Sequence, residues 1–203
     1  VNGCLPLRDM NGPDDMVGTD LRFDIVEDVP FQWLRLNSPG LKGTIHWLGG
    51  ELVLTNLQAE FYGGTGTGDA YFDFRPAHEG ADYRFTMTVT NVNLHQFAAD
   101  VSSPTNHLEG TVAGDLVVTS ADTRNLESWN GYGTIKLRDG LLWDIPLFGV
   151  LSPVLNTIST GLGNSRATEA AATYTITNGI IRSDTLEIRS TMMRLSYTGT
   201  VDM

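Results

Sequence analysis

A short phrase occurs three times in this chain and confines it to antiparallel sheet. It reads Gly43-Thr44-Ile45-His46-Trp47-Leu48-Gly49-Gly50, then Gly133-Thr134-Ile135-Lys136-Leu137-Arg138-Asp139-Gly140, then Ala172-Thr173-Tyr174-Thr175-Ile176-Thr177-Asn178-Gly179. A small residue and a Thr open each copy, and a Gly-Gly, Asp-Gly or Asn-Gly pair closes it. Such pairs tolerate positive φ at the central positions of a tight turn, the strongest local signal for a two-residue hairpin. With the turns so placed, Leu48 faces Glu51, Trp47 faces Leu52 and Ile45 faces Leu54. In the same way Leu137 is expected opposite Leu142, and Ile176 opposite Ile181. Side chains alternate between faces with period two, so the same face is apolar in every copy. A chain of this kind is a repetitive sheet rather than an enzyme scaffold with one focused pocket.

Further strands follow from alternation. Residues 1–19 read as a loose lead-in, with Asn11-Gly12-Pro13-Asp14-Asp15 at its centre. Leu21, Phe23 and Ile25 alternate with Arg22 and Asp24, and Phe31 to Leu36 reads as another short strand. The Gly63–Gly68 stretch reads as a turn, followed by Ala70, Phe72 and Phe74 on one parity. Tyr83, Phe85, Met87 and Val89 oppose Arg84, Thr86, Thr88 and Thr90. Leu94 to Ala99 fits one or two helical turns, and Asp122 to Trp129 a short helix. Val112, Leu116 and Val118 mark a strand, with Gly110 and Gly114 at bulges or close approaches. Leu186 and Ile188 share parity, as do Leu195, Tyr197 and Val201.

One segment has clear helical spacing. Leu147, Leu151, Val154, Leu155 and Ile158 form a stripe over 146–159. Pro146 suits the first helical position, Asp144 a cap, and Pro153 a kink. The expected architecture is therefore mainly β: one large curved antiparallel sheet of about 11–12 strands, a groove or half-barrel, packed on that amphipathic helix.

Composition narrows the function classes. The 24 acidic residues outnumber the 13 basic ones for a formal net charge of −11. That balance argues against nucleic acid and against flat docking on an anionic bilayer. Hydrophobic residues are 41 %, ordinary for a soluble globular chain, and no run approaches the roughly 18 residues of a membrane span. One cysteine, Cys4, rules out an internal disulfide, and no Asn-x-Ser/Thr sequon occurs. The opening Val1-Asn2-Gly3-Cys4 reads as the start of an excised segment, and it also has the look of a lipoprotein cleavage site without the preceding apolar stretch.

No catalytic constellation emerges, and no metal or cofactor is expected. Gly63–Gly68 lacks the helix and Lys-Ser/Thr that a phosphate loop needs. His46, His78, His95 and His107 do not pair at metal-ligand spacing. Asp69 and Asp73 flank Tyr71 on one strand parity and read as solvated carboxylates rather than an acid–base pair. Ser102, Ser103 and Ser152 lack a nucleophile-elbow setting, and Cys4 has no nearby His. Trp33, Trp47, Trp129 and Trp143 are dispersed, as core residues or as sugar-stacking platforms.

The stretch from Trp129 to Leu147, with Gly131-Tyr132-Gly133-Thr134-Ile135-Lys136-Leu137-Arg138-Asp139-Gly140 leading into Ile145-Pro146 and an apolar helix, resembles the C-terminal region of AsmA-like proteins. Tyr174-Thr175-Ile176-Thr177-Asn178-Gly179 is similar to that family's later hairpin. Leu195-Ser196-Tyr197-Thr198-Gly199-Thr200-Val201-Asp202 is similar to its ending, with Tyr197 where Gly is more usual. Leu57-Gln58-Ala59-Glu60-Phe61-Tyr62-Gly63-Gly64 is similar to one of its strand ends. The likeness covers 41–203 and divides the chain into a lead-in over 1–40, with one or two strands, and an AsmA-like β domain over 41–203, one domain overall and a fragment of a longer protein.

What the resemblance implies is a non-enzymatic, bridge-type segment in the periplasm of a Gram-negative-type bacterium. Its parent is anchored in the inner membrane and linked to phospholipid traffic and outer-membrane integrity. Phospholipid is then the expected ligand, with both membranes engaged through other parts of the parent. The candidate lipid-facing residues are Ile45, Trp47, Leu52, Leu54, Phe72, Phe74, Phe85 and Met87. They read equally as core beneath the 146–159 helix. A carbohydrate-binding β-sandwich and a purely structural envelope β-domain are the alternatives.

Overall fold

A computed structural model describes residues 2–4, 18–33, 36–75, 80–101, 105, 108–140, 167–190 and 194–202. Eleven strands and one helix make up the described part. They run β1 (Asn2–Cys4), β2 (Asp20–Trp33), β3 (Leu36–Leu48), β4 (Glu51–Phe61), β5 (Gly64–Asp73), β6 (Asp82–Asn93), α1 (Leu94–Val101), β7 (Thr111–Asp122), β8 (Asn125–Gly140), β9 (Ala167–Thr177), β10 (Ile180–Ser190) and β11 (Arg194–Asp202). All strands join one antiparallel sheet in simple sequence order, β1 to β11, curved and unclosed. The mainly β, single-sheet expectation holds. The 146–159 helix, Trp143 and the Leu142 partner lie outside the described residues.

Two hairpins have the expected register. Leu48 pairs with Glu51, Trp47 with Leu52 and Ile45 with Leu54, and Ile176 pairs with Ile181. Asn178 and Gly179 take φ of 48° and 74°, a turn with both central residues left-handed. At Gly49-Gly50 only Gly49 is left-handed, at 56°. Gly50 has a different constraint: an added Cβ would lie 2.4 Å from Arg75 Cγ.

Four local expectations are corrected. Asp139-Gly140 is not a hairpin turn but the end of β8, where Gly140 pairs with Ala167 and Leu137 pairs with Val112 on β7 and Ala170 on β9. Its left-handed signal is nonetheless real, since Asp139 has φ 53° within the strand. The Gly63–Gly68 stretch is a turn only at Tyr62-Gly63, and Gly64 to Gly68 open β5. Phe31 to Leu36 is no separate strand, because Trp33 ends β2 and pairs with Leu36 at the start of β3. Asp122 to Trp129 is a hairpin rather than a helix, with Asp122 paired to Asn125.

Bulges hold the faces constant along strands whose apolar residues fall out of step. Leu54 and Leu57 are three apart, as are Val89 and Val92, and Val118 and Ala121. Each pair spans a register shift. An extra residue per shift restores the period-two alternation. Asn56 and Asn91 absorb two of these shifts at φ of 54° and 55°, a conformation Asn tolerates better than most residues.

Candidate functional site

The defining feature is a sheet with two chemically opposite faces. One lane of directly paired residues runs Phe23, Ile45, Leu54, Ala70, Phe85, Val118, Gly131, Ile176, Ile181 and Val201 across β2 to β11. Nearer the Asn93 end, a parallel lane on the same face runs Val92, Val112, Leu137, Ala170, Ile188 and Leu195. The opposite face carries lanes such as Gln58, Thr67, Thr88, Asp115, Thr134 and Thr173. There Asp115 accepts from Thr88 Oγ1 at 2.7 Å and from Thr134 Oγ1 at 3.0 Å.

All eight candidate residues fall on the apolar face. Ile45, Leu54 and Phe85 share the first lane. Trp47, Leu52 and Phe72 share the next, which begins at Leu21 and continues to Tyr83. Met87 sits between Gly68 and Leu116, and Phe74 stacks on Phe72 at 6.3 Å. None is buried: Phe74 is 45 % and Met87 37 % exposed, and the other six are half-buried. Among the described residues, the buried apolar side chains are few and mostly small, Ala81, Ala98, Val118 and Ala121 among them.

An aromatic cluster occupies this face toward the Gly49-Gly50 end. Tyr83 stacks on Phe72 at 5.6 Å and lies parallel to Phe85 at 6.3 Å. Trp129 meets Tyr83 and Phe85 edge-on, at 6.3 and 5.8 Å. Trp129 Nε1 is buried beside the Tyr83 hydroxyl without reaching hydrogen-bond geometry. Burial raises the Tyr83 phenol, and the facing indole N–H partly offsets this. The sequence marks Trp129 as a core or sugar-stacking residue at the end of a short helix, which gives no sign of its place beside Tyr83 and Phe85, whereas the parity of Tyr83 with Phe85 is local and visible.

Glycines on the same face let strands approach closely. A Cβ on Gly68 would sit 2.2 Å from Thr86 O, on Gly131 2.1 Å from Val117 O and on Gly133 2.1 Å from Asp115 O. Above Gly133 lies the ring of Tyr174, whose hydroxyl donates to Asp115 O at 3.2 Å. Burial pushes that phenol up, with Asp115 adding to the shift. Gly114 makes a close approach of the kind expected, 2.3 Å from Thr134 O to an added Cβ, while Gly110 is left-handed at φ 102°.

At the Asn93 end, α1 lies over the apolar face. Its first turn is capped by Asn93, whose Oδ1 accepts from Gln96 N at 3.0 Å. Leu94 packs against the cluster of Leu137, Ala170 and Ile188. Phe97 meets Phe61 at 6.1 Å and Tyr62 at 5.6 Å. Tyr62 Oη accepts from Asn37 N at 3.0 Å and donates to Asp100 Oδ2 at 2.8 Å. Asn37 Nδ2 also donates to that oxygen, at 2.8 Å. These two donors, Asn37 first, hold the Asp100 carboxyl below its usual range.

Several charged side chains of the polar face are engaged with neighbours. Asp69 accepts from Asn56 N at 2.8 Å. Arg75 chelates Asp73 at 2.8 and 2.9 Å and reaches Glu51, which brings Asp73 down to about 2. His46 Nε2 lies 2.7 Å from Asp20. Two shallow depressions, about 350 and 280 Å³, lie on this side, bordered by Tyr71, Arg84 and Thr119, and by Gln58, Thr67 and Asp69. Among the described residues no group of three metal-ligating side chains converges, and no helix is long and apolar enough to cross a membrane. Comparison of the chain with protein-family models, curated proteins and solved structures finds no match.

Proposed function

We propose that this chain is a non-enzymatic, AsmA-like segment of a bacterial envelope protein whose apolar face shields or conducts phospholipid acyl chains. On this reading the parent protein is held in the inner membrane, the segment lies in the periplasm, and the transfer supports outer-membrane integrity.

The observation that carries the proposal is the unbroken apolar face. It crosses ten strands in one lane from Phe23 to Val201, without a charged or amide side chain in that lane. Hydrocarbon needs that chemistry and no more. Each methylene taken out of water is worth about 0.8 kcal/mol, so a sixteen-carbon chain gains roughly 12 kcal/mol. Neither polar partners nor an enclosed pocket is required. The Thr-rich and acidic opposite face keeps the other side wet. The order of the glycine motifs along the chain adds the family resemblance.

The test is quenching of tryptophan fluorescence by phospholipids brominated along the acyl chain. Trp47 and Trp129 both stand on the apolar face, so single-tryptophan variants retaining either one are expected to be quenched. Native mass spectrometry should also find phospholipid on the purified chain. Unquenched Trp47 and Trp129, together with a lipid-free mass, would refute the proposal.

A further inference from the structure

We propose that α1 is a fixed end-wall on the apolar face, set in place by Tyr62, and that it confines hydrocarbon to the half of the face that carries Trp47, Phe72, Phe85 and Trp129. This rests on the acyl-chain reading and adds to it which part of the face is available.

The starting point is a backbone outlier. Tyr62 and Gly63 take φ of 46° and 77°, nearly the values of 48° and 74° at Asn178 and Gly179. The two turns have the same form, but a bulky aromatic residue occupies the place that Asn fills in the other. A bulky residue at positive φ is strained, and such strain persists only where surrounding contacts over-determine it. Apart from its edge-on contact with Phe61 at 4.8 Å, the contacts at Tyr62 lead to α1 or to its anchor. Its ring meets Phe97 edge-on at 5.6 Å and 81°. Its hydroxyl donates to Asp100 on the helix and accepts from Asn37 on β3. Its carbonyl accepts from the N–H of the helix cap, Asn93, at 2.9 Å. An Asn at this position would relax the turn and lose the ring and the hydroxyl.

Held there, α1 covers one end of the lanes and not the other. Phe97 sits against Phe61, and Leu94 against the Leu137, Ala170 and Ile188 cluster, where Leu137 is 6 % and Ile188 4 % exposed. The lanes through Trp47, Phe72 and Phe85 are half-buried and Phe74 is exposed. Hydrocarbon therefore finds half-buried to exposed aromatic surface at the Gly49-Gly50 end, whereas at the α1 end Leu137, Ala170 and Ile188 are already covered.

The experiment compares the wild-type chain with Tyr62→Asn and Asp100→Ala. Each is incubated with vesicles of phosphatidylcholine carrying a diazirine in the acyl chain, photolysed and mapped by peptide mass spectrometry. Hydrogen exchange of the α1 amides is followed alongside. The expected result is wild-type adducts on Trp47, Phe72, Phe85 or Trp129 and none on Leu137 or Ile188. In both variants, adducts spread to Leu137 and Ile188 as the α1 amides lose protection. Asp100→Asn, which keeps an acceptor, restores the wild-type map. Because Asn suits the turn, Tyr62→Asn separates the latch from simple misfolding. Wild-type adducts spread evenly over both ends would overturn the end-wall and leave the acyl-chain reading standing. A Tyr62→Asn chain with an unchanged map and unchanged exchange would overturn the role of Tyr62. Adducts nowhere in any variant would overturn both readings together.

Discussion

Three glycines alternate along the start of β5, and the structure gives them opposite tolerances. On Gly66 an added Cβ would meet only Phe61 Cβ at 3.8 Å and Val89 Cγ1 at 3.9 Å, ordinary contact distances. On Gly64 it would lie 2.1 Å from Thr90 O and 2.6 Å from Asn91 C, and on Gly68 2.2 Å from Thr86 O. Backbone atoms of β6 cannot rotate away as a side chain would, so the ladder itself must shift by around an ångström. Forcing an extra methyl into a packed site costs about 1–3 kcal/mol, and a rigid backbone neighbour puts these two at the upper end, about 2 kcal/mol or more. Gly66→Ala has no such penalty. It restricts the unfolded chain, which stabilises by about 0.4–1 kcal/mol. For a chain of this length each kcal/mol moves Tm by about 2–4 °C. Gly66→Ala should therefore raise Tm by about 1–4 °C, while Gly64→Ala and Gly68→Ala lower it by about 4–8 °C. Urea unfolding followed by far-UV circular dichroism should give the same order with an unchanged m-value. Equal destabilisation in all three variants, or a loss at Gly66 alone, would refute the account of why glycines sit here.

Other predictions follow from single contacts. Gly179→Ala meets a φ of 74° and places a Cβ 2.8 Å from Glu127 Cα, so it should cost more than about 1 kcal/mol in chemical denaturation, whereas Asn178→Gly should be nearly neutral. Asn56→Gly at the β4 bulge should hold stability and Asn56→Leu should lose about 1 kcal/mol or more, because φ 54° suits Gly and Asn but not Leu. Asp73 is depressed from 3.8 to about 2 by Arg75, so its contribution is present above about 3.8 and lost as pH falls toward 2. Asp73→Asn should flatten Tm against pH across that window, and added salt should shrink the wild-type slope.

Much of the architecture was legible in the residues. The Gly49-Gly50 and Asn178-Gly179 pairs announced hairpins, and alternation assigned Tyr83, Phe85, Met87 and Val89 to one face. The registers at Ile45 and Ile176 followed by counting. Local signals gave out where the same residues serve two geometries. Asp139-Gly140 has the composition of a turn, and Asp139 does take the left-handed conformation, but its strand is already paired on both sides. Gly64 to Gly68 looks like a loop because glycine favours turns, yet those residues are strand, and at Gly64 and Gly68 a cross-strand carbonyl leaves no room for a Cβ.

Sequence by itself determined that this chain makes an antiparallel, one-faced sheet, because period-two patterning and turn chemistry are local properties. Only the tertiary structure decided that the face is continuous. Leu54 and Leu57, Val89 and Val92, and Val118 and Ala121 are out of step in the sequence and come to one side through bulges, whose position depends on the pairing of neighbouring strands. It also decided that Trp129 joins Tyr83 and Phe85, and that Tyr62, strained in its turn, reaches Asn37 and Asp100, 25 and 38 residues away. Those contacts are non-local, and no window of sequence contains both partners.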